Sequence, residues 1–191
     1  MLTMELSDGG YGARTRENAA EADLTLAVAA DFGTAGERLT AKAAREHGKP
    51  LVRVRHLAEG AEFDEAVAEL VEALNGVWDV KGRPLVLNGA GNGVYTLGSQ
   101  DQANEFALRL LGAAMGHPGR RFELGEVRSG GQSGYDVALV KAALDLGVPA
   151  RVHAARSFGG RYLVRLEDGM DVGLTETEYR HGFDLRELEG G

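Results

Sequence analysis

The sequence predicts an α/β fold: a mostly parallel sheet with helices on both faces. Two observations carry that expectation. Short apolar, strand-like segments alternate with helical segments along most of the chain. Glycine-rich stretches follow three of the expected strands. They are Asp31-Phe32-Gly33-Thr34-Ala35-Gly36-Glu37, Asn88-Gly89-Ala90-Gly91-Asn92-Gly93 and Gly130-Gly131-Gln132-Ser133-Gly134-Tyr135-Asp136. A strand that breaks into glycines and restarts as a helix lets backbone N–H groups approach a ligand. The helix N-terminus then adds a partial positive charge. In a parallel α/β sheet, ligands bind beyond the carboxyl ends of the strands. The three stretches are therefore expected to be loops that converge on one edge.

Each element has its own local reason. Residues 14–21 read as a short helix. Residues 24–30, Leu-Thr-Leu-Ala-Val-Ala-Ala, form a nearly unbroken apolar run, the pattern of a strand covered on both faces. A helix over 35–47 follows, stopped by Gly48, then a strand over 50–55. Phe63, Val67, Leu70, Val71 and Leu74 have helical spacing over 63–74. Residues 75–83 read as a loop and 84–87 as a strand. The helix over 100–115 turns Phe106, Leu110 and Leu111 inward, and Gly116-His117-Pro118-Gly119 ends it. A strand over 122–128, a helix over 133–146, a turn at 147–149 and a strand over 150–154 complete the regular part. Residues 162–166 read as one more strand, before Glu167-Asp168-Gly169.

Bulk properties narrow the function. With 191 residues, the chain suits one domain spanning 1–191 with a full core. A net charge of −8 without any Lys/Arg run argues against a nucleic-acid partner. No long uncharged apolar run is present, so no membrane span is expected. The first residues, Met-Leu-Thr-Met-Glu, do not read as a secretory leader. The absence of cysteine excludes disulfides, thiolate metal sites and a cysteine nucleophile, and makes a cytoplasmic location the default. The histidines 47, 56, 117, 153 and 181 are scattered without metal-ligand spacing, so no metal site is expected.

The motifs also resemble a known family in a rotated order. Ser129-Gly130-Gly131-Gln132-Ser133-Gly134-Tyr135-Asp136, followed by Ala142-Ala143-Leu144-Asp145-Leu146-Gly147-Val148-Pro149, resembles the opening of the molybdenum carrier proteins of the Rossmann-like SLOG superfamily. Glu167-Asp168-Gly169 resembles their next motif. The segment that follows there resembles the N-terminal part here: Tyr11, Arg14-Thr15, Asn18, Asp23, the strand over 24–28, Gly36, Leu39-Thr40, Ala43 and Gly48-Lys49-Pro50. Leu87-Asn88-Gly89-Ala90-Gly91 resembles a late motif of the family. The resemblance implies a circularly permuted Rossmann-like fold, with the usual first strand placed last. Where that family has Gly-Gly-Thr, this chain has Gly36-Glu37-Arg38. Gly33-Thr34-Ala35-Gly36-Glu37 instead resembles the Gly-Thr-x-x-Glu of the LOG phosphoribohydrolases of the same superfamily. Their preceding Pro-Gly-Gly is replaced by Ala30-Asp31-Phe32.

The resemblance implies a small phosphorylated ligand, either a nucleotide or a molybdopterin-type cofactor. It leaves three functions open: a binding protein, a nucleoside-monophosphate N-glycosidase, and a sensor or sequestering module for a signalling nucleotide. In the glycosidase, Glu37 and Arg14 are the expected catalytic residues. A carboxylate beside the ribosyl carbon stabilises an oxocarbenium ion or activates water. Equally, Glu37 is what a helix dipole favours in a first turn. The expected ligand-binding residues are Gly33, Thr34, Gly36, Gly130, Gly131, Gln132, Ser133, Gly134, Asp136, Asn88 and Arg16. Arg14 and Arg16 suit a bidentate phosphate clamp or a solvated helix face. Ser133 either donates to a phosphate or caps its helix. Asp136 either contacts a ribose hydroxyl or complements the dipole. Asn88 and Asn92 fit a ligand loop or left-handed turns. Arg156 and Arg161 suit a loop that closes over a ligand. Relatives of this kind associate, so a homo-oligomer, dimer or tetramer, is expected, with the helices over 63–74 and 100–115 as its interface.

Overall fold

The computed structural model describes residues 1–7, 10–155, 162–165 and 171–174. In chain order the elements are β1 (Leu2–Ser7), α1 (Gly10–Glu21), β2 (Leu24–Ala29), α2 (Ala35–Glu46), β3 (Leu51–Arg55), α3 (Gly60–Lys81) and β4 (Leu85–Gly91). There follow α4 (Val94–Leu97), α5 (Gln100–Gly116), β5 (Leu124–Ser129), α6 (Tyr135–Asp145), β6 (Ala150–Ala155), β7 (Tyr162–Arg165) and β8 (Asp171–Leu174). Strands β1 to β6 form one sheet in the order β1-β6-β5-β4-β2-β3, parallel throughout. This is an α/β Rossmann-like architecture. β7 and β8 pair separately and antiparallel. No helix among the described residues is long and apolar enough to cross a membrane.

Crossovers between parallel strands are right-handed. The steps β1 to β2 and β2 to β3 run one way along the sheet, and the steps from β3 through β4 and β5 to β6 run the other way. Hence α1 and α2 cover one face, and α3, α5 and α6 cover the other. The packing agrees: α1 lies against α2, and α5 lies against both α3 and α6. β1 and β6, the first and last strands of the sheet in sequence, are hydrogen-bonded neighbours. A circularly permuted chain has this adjacency, because its first and last strands were once consecutive.

The two faces of the sheet differ in chemistry. Leu24, Leu87, Val127 and Ala150 form one row across β2, β4, β5 and β6, and all are buried. They belong to the core under α3, α5 and α6. Burying each leucine contributes about 1.5–3 kcal/mol. The adjacent row is Thr25, Asn88, Arg128 and Arg151, on the α1 side. Such a row is costly unless every group is paired. Asn88 donates to Thr25 Oγ1 at 3.2 Å, and Arg128 donates to Asn18 Oδ1 at 3.1 Å and pairs with Glu21. Arg151 bridges Glu126 and Glu5.

Four local expectations need correction. β1 was not foreseen, although Leu2, Met4 and Leu6 alternate with Thr3, Glu5 and Ser7. Helix α1 starts at Gly10 rather than at residue 14. The expected loop over 75–83 is mostly helix, because α3 continues to Lys81 and stops at Gly82 in a left-handed conformation, φ 61°. Within it Asn75 accepts the N–H groups of Arg121 and Phe122 and donates to Gly119 O, so the helix braces the approach to β5. Asn88-Gly89-Ala90-Gly91 is not a loop but the end of β4. Its glycines make room: a Cβ on Gly91 would overlap the Val28 carbonyl, and one on Gly89 would press on Leu139. Phe106, Leu110 and Leu111 face inward as expected, and with Val67, Leu70 and Leu74 they are buried in the core of this chain. Glu167, Asp168, Gly169, Arg156, Arg161 and His181 lie outside the described residues.

Two glycines give opposite expectations. Gly91→Ala should destabilise the fold by about 3 kcal/mol, because β4 cannot accept a methyl against the Val28 backbone. Gly76→Ala, in the exposed interior of α3 with nothing near its Cβ position, should stabilise by about 0.5–1 kcal/mol. Urea denaturation of both variants checks the pair, and a well-tolerated Gly91→Ala would contradict the packing of β4 on β2.

Candidate functional site

At the carboxyl ends of β4 and β5, between α1 and the first turn of α2, lies a cleft of about 350 Å³ including its open mouth. Helix α1 presents Tyr11, Arg14, Thr15 and Asn18 to it. These positions, i, i+3, i+4 and i+7, share one helix face. Gly36, Glu37 and Thr40 of α2 form the opposite wall. The floor is Asn88 to Gly91 with Gly130 and Asp136.

Arg14 is 6% exposed. Its Nη1 donates to Asp136 Oδ2 at 3.2 Å, and its guanidinium lies 4.5 Å from the centre of the Tyr11 ring. A Cβ on Gly130 would overlap this guanidinium. Gly130 is therefore small because Arg14 occupies the space, not because its backbone is left-handed. The Arg14 Nε is buried and has no hydrogen-bond partner among the described residues. Asp136 also accepts the backbone N–H groups of Gly130 and Gln132. Burial nevertheless pushes its carboxyl above the usual range, against the pull of Arg14. Tyr11 donates to Gln132 Oε1 at 2.8 Å across the mouth, and burial, then Asp136, pushes its phenol up.

Glu37 is 4% exposed. Its backbone N–H is capped by Thr34 Oγ1 at 3.2 Å, as expected for an N-cap threonine. Its carboxyl group accepts no hydrogen bond among the described residues. Burial first, and then the Asp136 charge, push its pKa up to about 7; Asp31 adds to this and Arg53 opposes it.

The Gly130–Gly134 stretch is a packed loop more than an open cradle. Gly134, with φ 102°, donates to Gln100 Oε1 at 2.6 Å, and Tyr135 donates its N–H to Asn92 O. Asn92 Oδ1 takes the N–H groups of Ala30 and Asp31, each at 2.9 Å, which pins the turn after β2. Neither Asn88 nor Asn92 has a positive φ. Ser133 is half-buried and does not cap α6, whose N-cap is Gly134.

A protein-family model, the circularly permutated YpsA SLOG family, matches residues 2–89. That stretch contains β1 to β3 and most of β4, both helical walls of the cleft and part of its floor. Over residues 2–89 the chain is similar to the SLOG superfamily. The permuted strand order fits that family. No curated protein and no solved structure matches the chain.

Of the residues expected at a SLOG ligand site, the cleft collects Arg14, Gly36, Glu37, Asn88, Gly130 and Asp136. Gly33, Thr34, Gly131, Gln132, Ser133, Gly134 and Arg16 stand outside its lining. Gln132 reaches the mouth only through Tyr11. Arg16 is exposed, near Glu46 at 3.8 Å and bonded to Gly12 O, on the solvated face of α1. Tyr11, Thr15, Asn18 and Thr40 were not named as site residues, although all belong to the SLOG-like motifs. The signal was a polar stripe at helical spacing on a helix that must bury one face. His153 is buried between Arg128 and Glu17, and His56 bonds Tyr135 Oη at 2.5 Å.

The overlap at Gly130 gives a sharp test. Gly130→Ala should destabilise the wild-type chain by about 1–3 kcal/mol, through displacement of Arg14. In an Arg14→Ala background the same change should cost less, because only Asp136 Oδ2, 2.6 Å from the Cβ position, then remains in the way. Thermal melts of the four proteins of this double-mutant cycle measure the coupling. Equal costs in both backgrounds would show that Arg14 does not lie on Gly130.

Proposed function

We propose that the cleft binds a nucleoside 5′-monophosphate and hydrolyses its N-glycosidic bond. The observation that carries this reading is Glu37: a buried carboxyl without hydrogen bonds among the described residues, in a polar cleft, with a pKa of about 7. A general base works best when its pKa lies near the working pH. The first turn of α2 supplies the phosphate end. The backbone N–H groups of Ala35 and Gly36 have no partner among the described residues, and the helix dipole adds to them. The Thr40 hydroxyl and the Asn88 amide oxygen suit a ribose.

In the reaction, ionised Glu37 takes a proton from water as the water oxygen bonds to C1′. The C1′–N bond breaks and its electron pair leaves with the base. The proton held by Glu37 passes to that base. The products are ribose 5-phosphate and free base. Arg14 stabilises the anionic part of the ligand through its inward edge.

A second reading is a carrier or sensor that holds a nucleotide or molybdopterin-type cofactor without turnover. The observation in its favour is the place of Glu37 in the first turn of α2, where a carboxylate complements the helix dipole without any catalytic role.

Glu37→Gln separates the two. For the hydrolase, turnover should fall by about 10²-fold or more, with ligand affinity nearly unchanged. In the wild type, kcat/KM should rise as pH passes through about 7, because the base acts ionised. A nucleotide that binds and stabilises both proteins, with no free base released from either, would favour the carrier.

A further inference from the structure

A carboxylate in the first turn of α6 already has a reason to exist, since it complements the helix dipole. The surroundings of Asp136 go further. Its carboxylate gathers Arg14 and the backbone N–H groups of Gly130 and Gln132. Arg14 is thereby held over Gly130 with an unpartnered, buried Nε. Glu37 lines the same cleft and lacks any such partner.

We propose that Asp136 is a positioning residue for the cleft: it holds the Arg14 guanidinium over Gly130 and sets the charge that Glu37 faces. This rests on the reading of Glu37 as the base. Arg14 and Glu37 touch the ligand, and Asp136 acts through them.

The mechanical part follows from the length of the arginine side chain. A free arginine samples many rotamers, and fixing it carries an entropic cost. Asp136, the Tyr11 ring and the missing Cβ of Gly130 together leave Arg14 a single seat. The electrostatic part follows from two carboxyl groups in one buried space, which do not ionise together easily. Asp136 has a guanidinium and two N–H groups to hold its charge, so it ionises first. Glu37 has no such donors and ionises last. The other groups that face Glu37 are Tyr11 from α1, Asp31 from the turn after β2 and Arg53 from β3. Asp31 acts in the same direction as Asp136, and Arg53 against it.

The test is a carbon-detected NMR titration of the full chain without ligand, with glutamate carboxyls labelled. In Asp136→Asn the Glu37 midpoint should move to lower pH than in the wild type. An unmoved midpoint in a cooperatively folded variant would overturn the proposal. Should Asp136→Asn fail to fold, Asp136→Ser removes the same charge and gives the same answer at Glu37. There too the Glu37 midpoint should move to lower pH than in the wild type, and an unmoved midpoint would overturn the proposal equally. Neither titration needs a substrate. Coupling without turnover of any nucleoside monophosphate would leave this inference standing and remove only the hydrolysis. If turnover is present, Asp136→Asn should also shift the rising limb of kcat/KM to lower pH. A purely structural role would lower the rate without moving that limb.

Discussion

The buried contact between Arg14 and Asp136, laid over Gly130, is the constraint on which the cleft depends. It joins α1 to α6 across the carboxyl end of β5. Taking two charges out of water is expensive, and their attraction compensates only when further hydrogen bonds complete the site. Here the backbone N–H groups of the glycine loop complete it on the Asp136 side. The Arg14 side is left incomplete, with a buried Nε that has no partner among the described residues. A protein keeps such an arrangement at a stability cost, and Arg14 lines the same cleft as Glu37.

The sheet separates stability from chemistry. Its apolar rows and helices α3, α5 and α6 build a continuous core. Its polar row under α1 is spent on ion pairs and hydrogen bonds: Arg128 with Glu21 and Asn18, and Asn88 with Thr25. The cleft opens where that polar layer meets the strand ends. Asn18 belongs to both, as it lines the cleft and also holds Arg128.

Local pattern carried the fold a long way. The alternation of apolar runs with helical spacing placed β2, α2, β3 and α5 near their true bounds, because each has a regular period and a clear stop. The failures came where tertiary contacts override local signals. Asn75 looks like a loop residue, but it is held in α3 by the backbone of residues 119–122. Asn88 to Gly91 looks like a ligand loop, but its glycines are there so that β4 can touch Val28, Leu139 and Tyr135. The site was legible in part. Glu37, Arg14, Asp136 and Gly130 were visible as motif members, yet the reason for Gly130 was not, because only the folded chain brings Arg14 onto it across more than a hundred residues. Thr15 and Asn18 went unread because a polar helix face is ordinarily the solvated one, and here it is the buried one.

The claim at the centre of this account is that the cleft between α1 and α2 holds a nucleotide. It is tested most directly by thermal denaturation of the wild-type chain with nucleoside mono-, di- and triphosphates, cyclic dinucleotides and molybdate, with chromatography of each mixture afterwards. A ligand at 100 times its dissociation constant adds about 2.7 kcal/mol of stability, which such a melt resolves readily. Stabilisation by a nucleoside monophosphate together with release of its free base is the expected result. Melts that no nucleotide moves, with every nucleotide recovered intact, would contradict it.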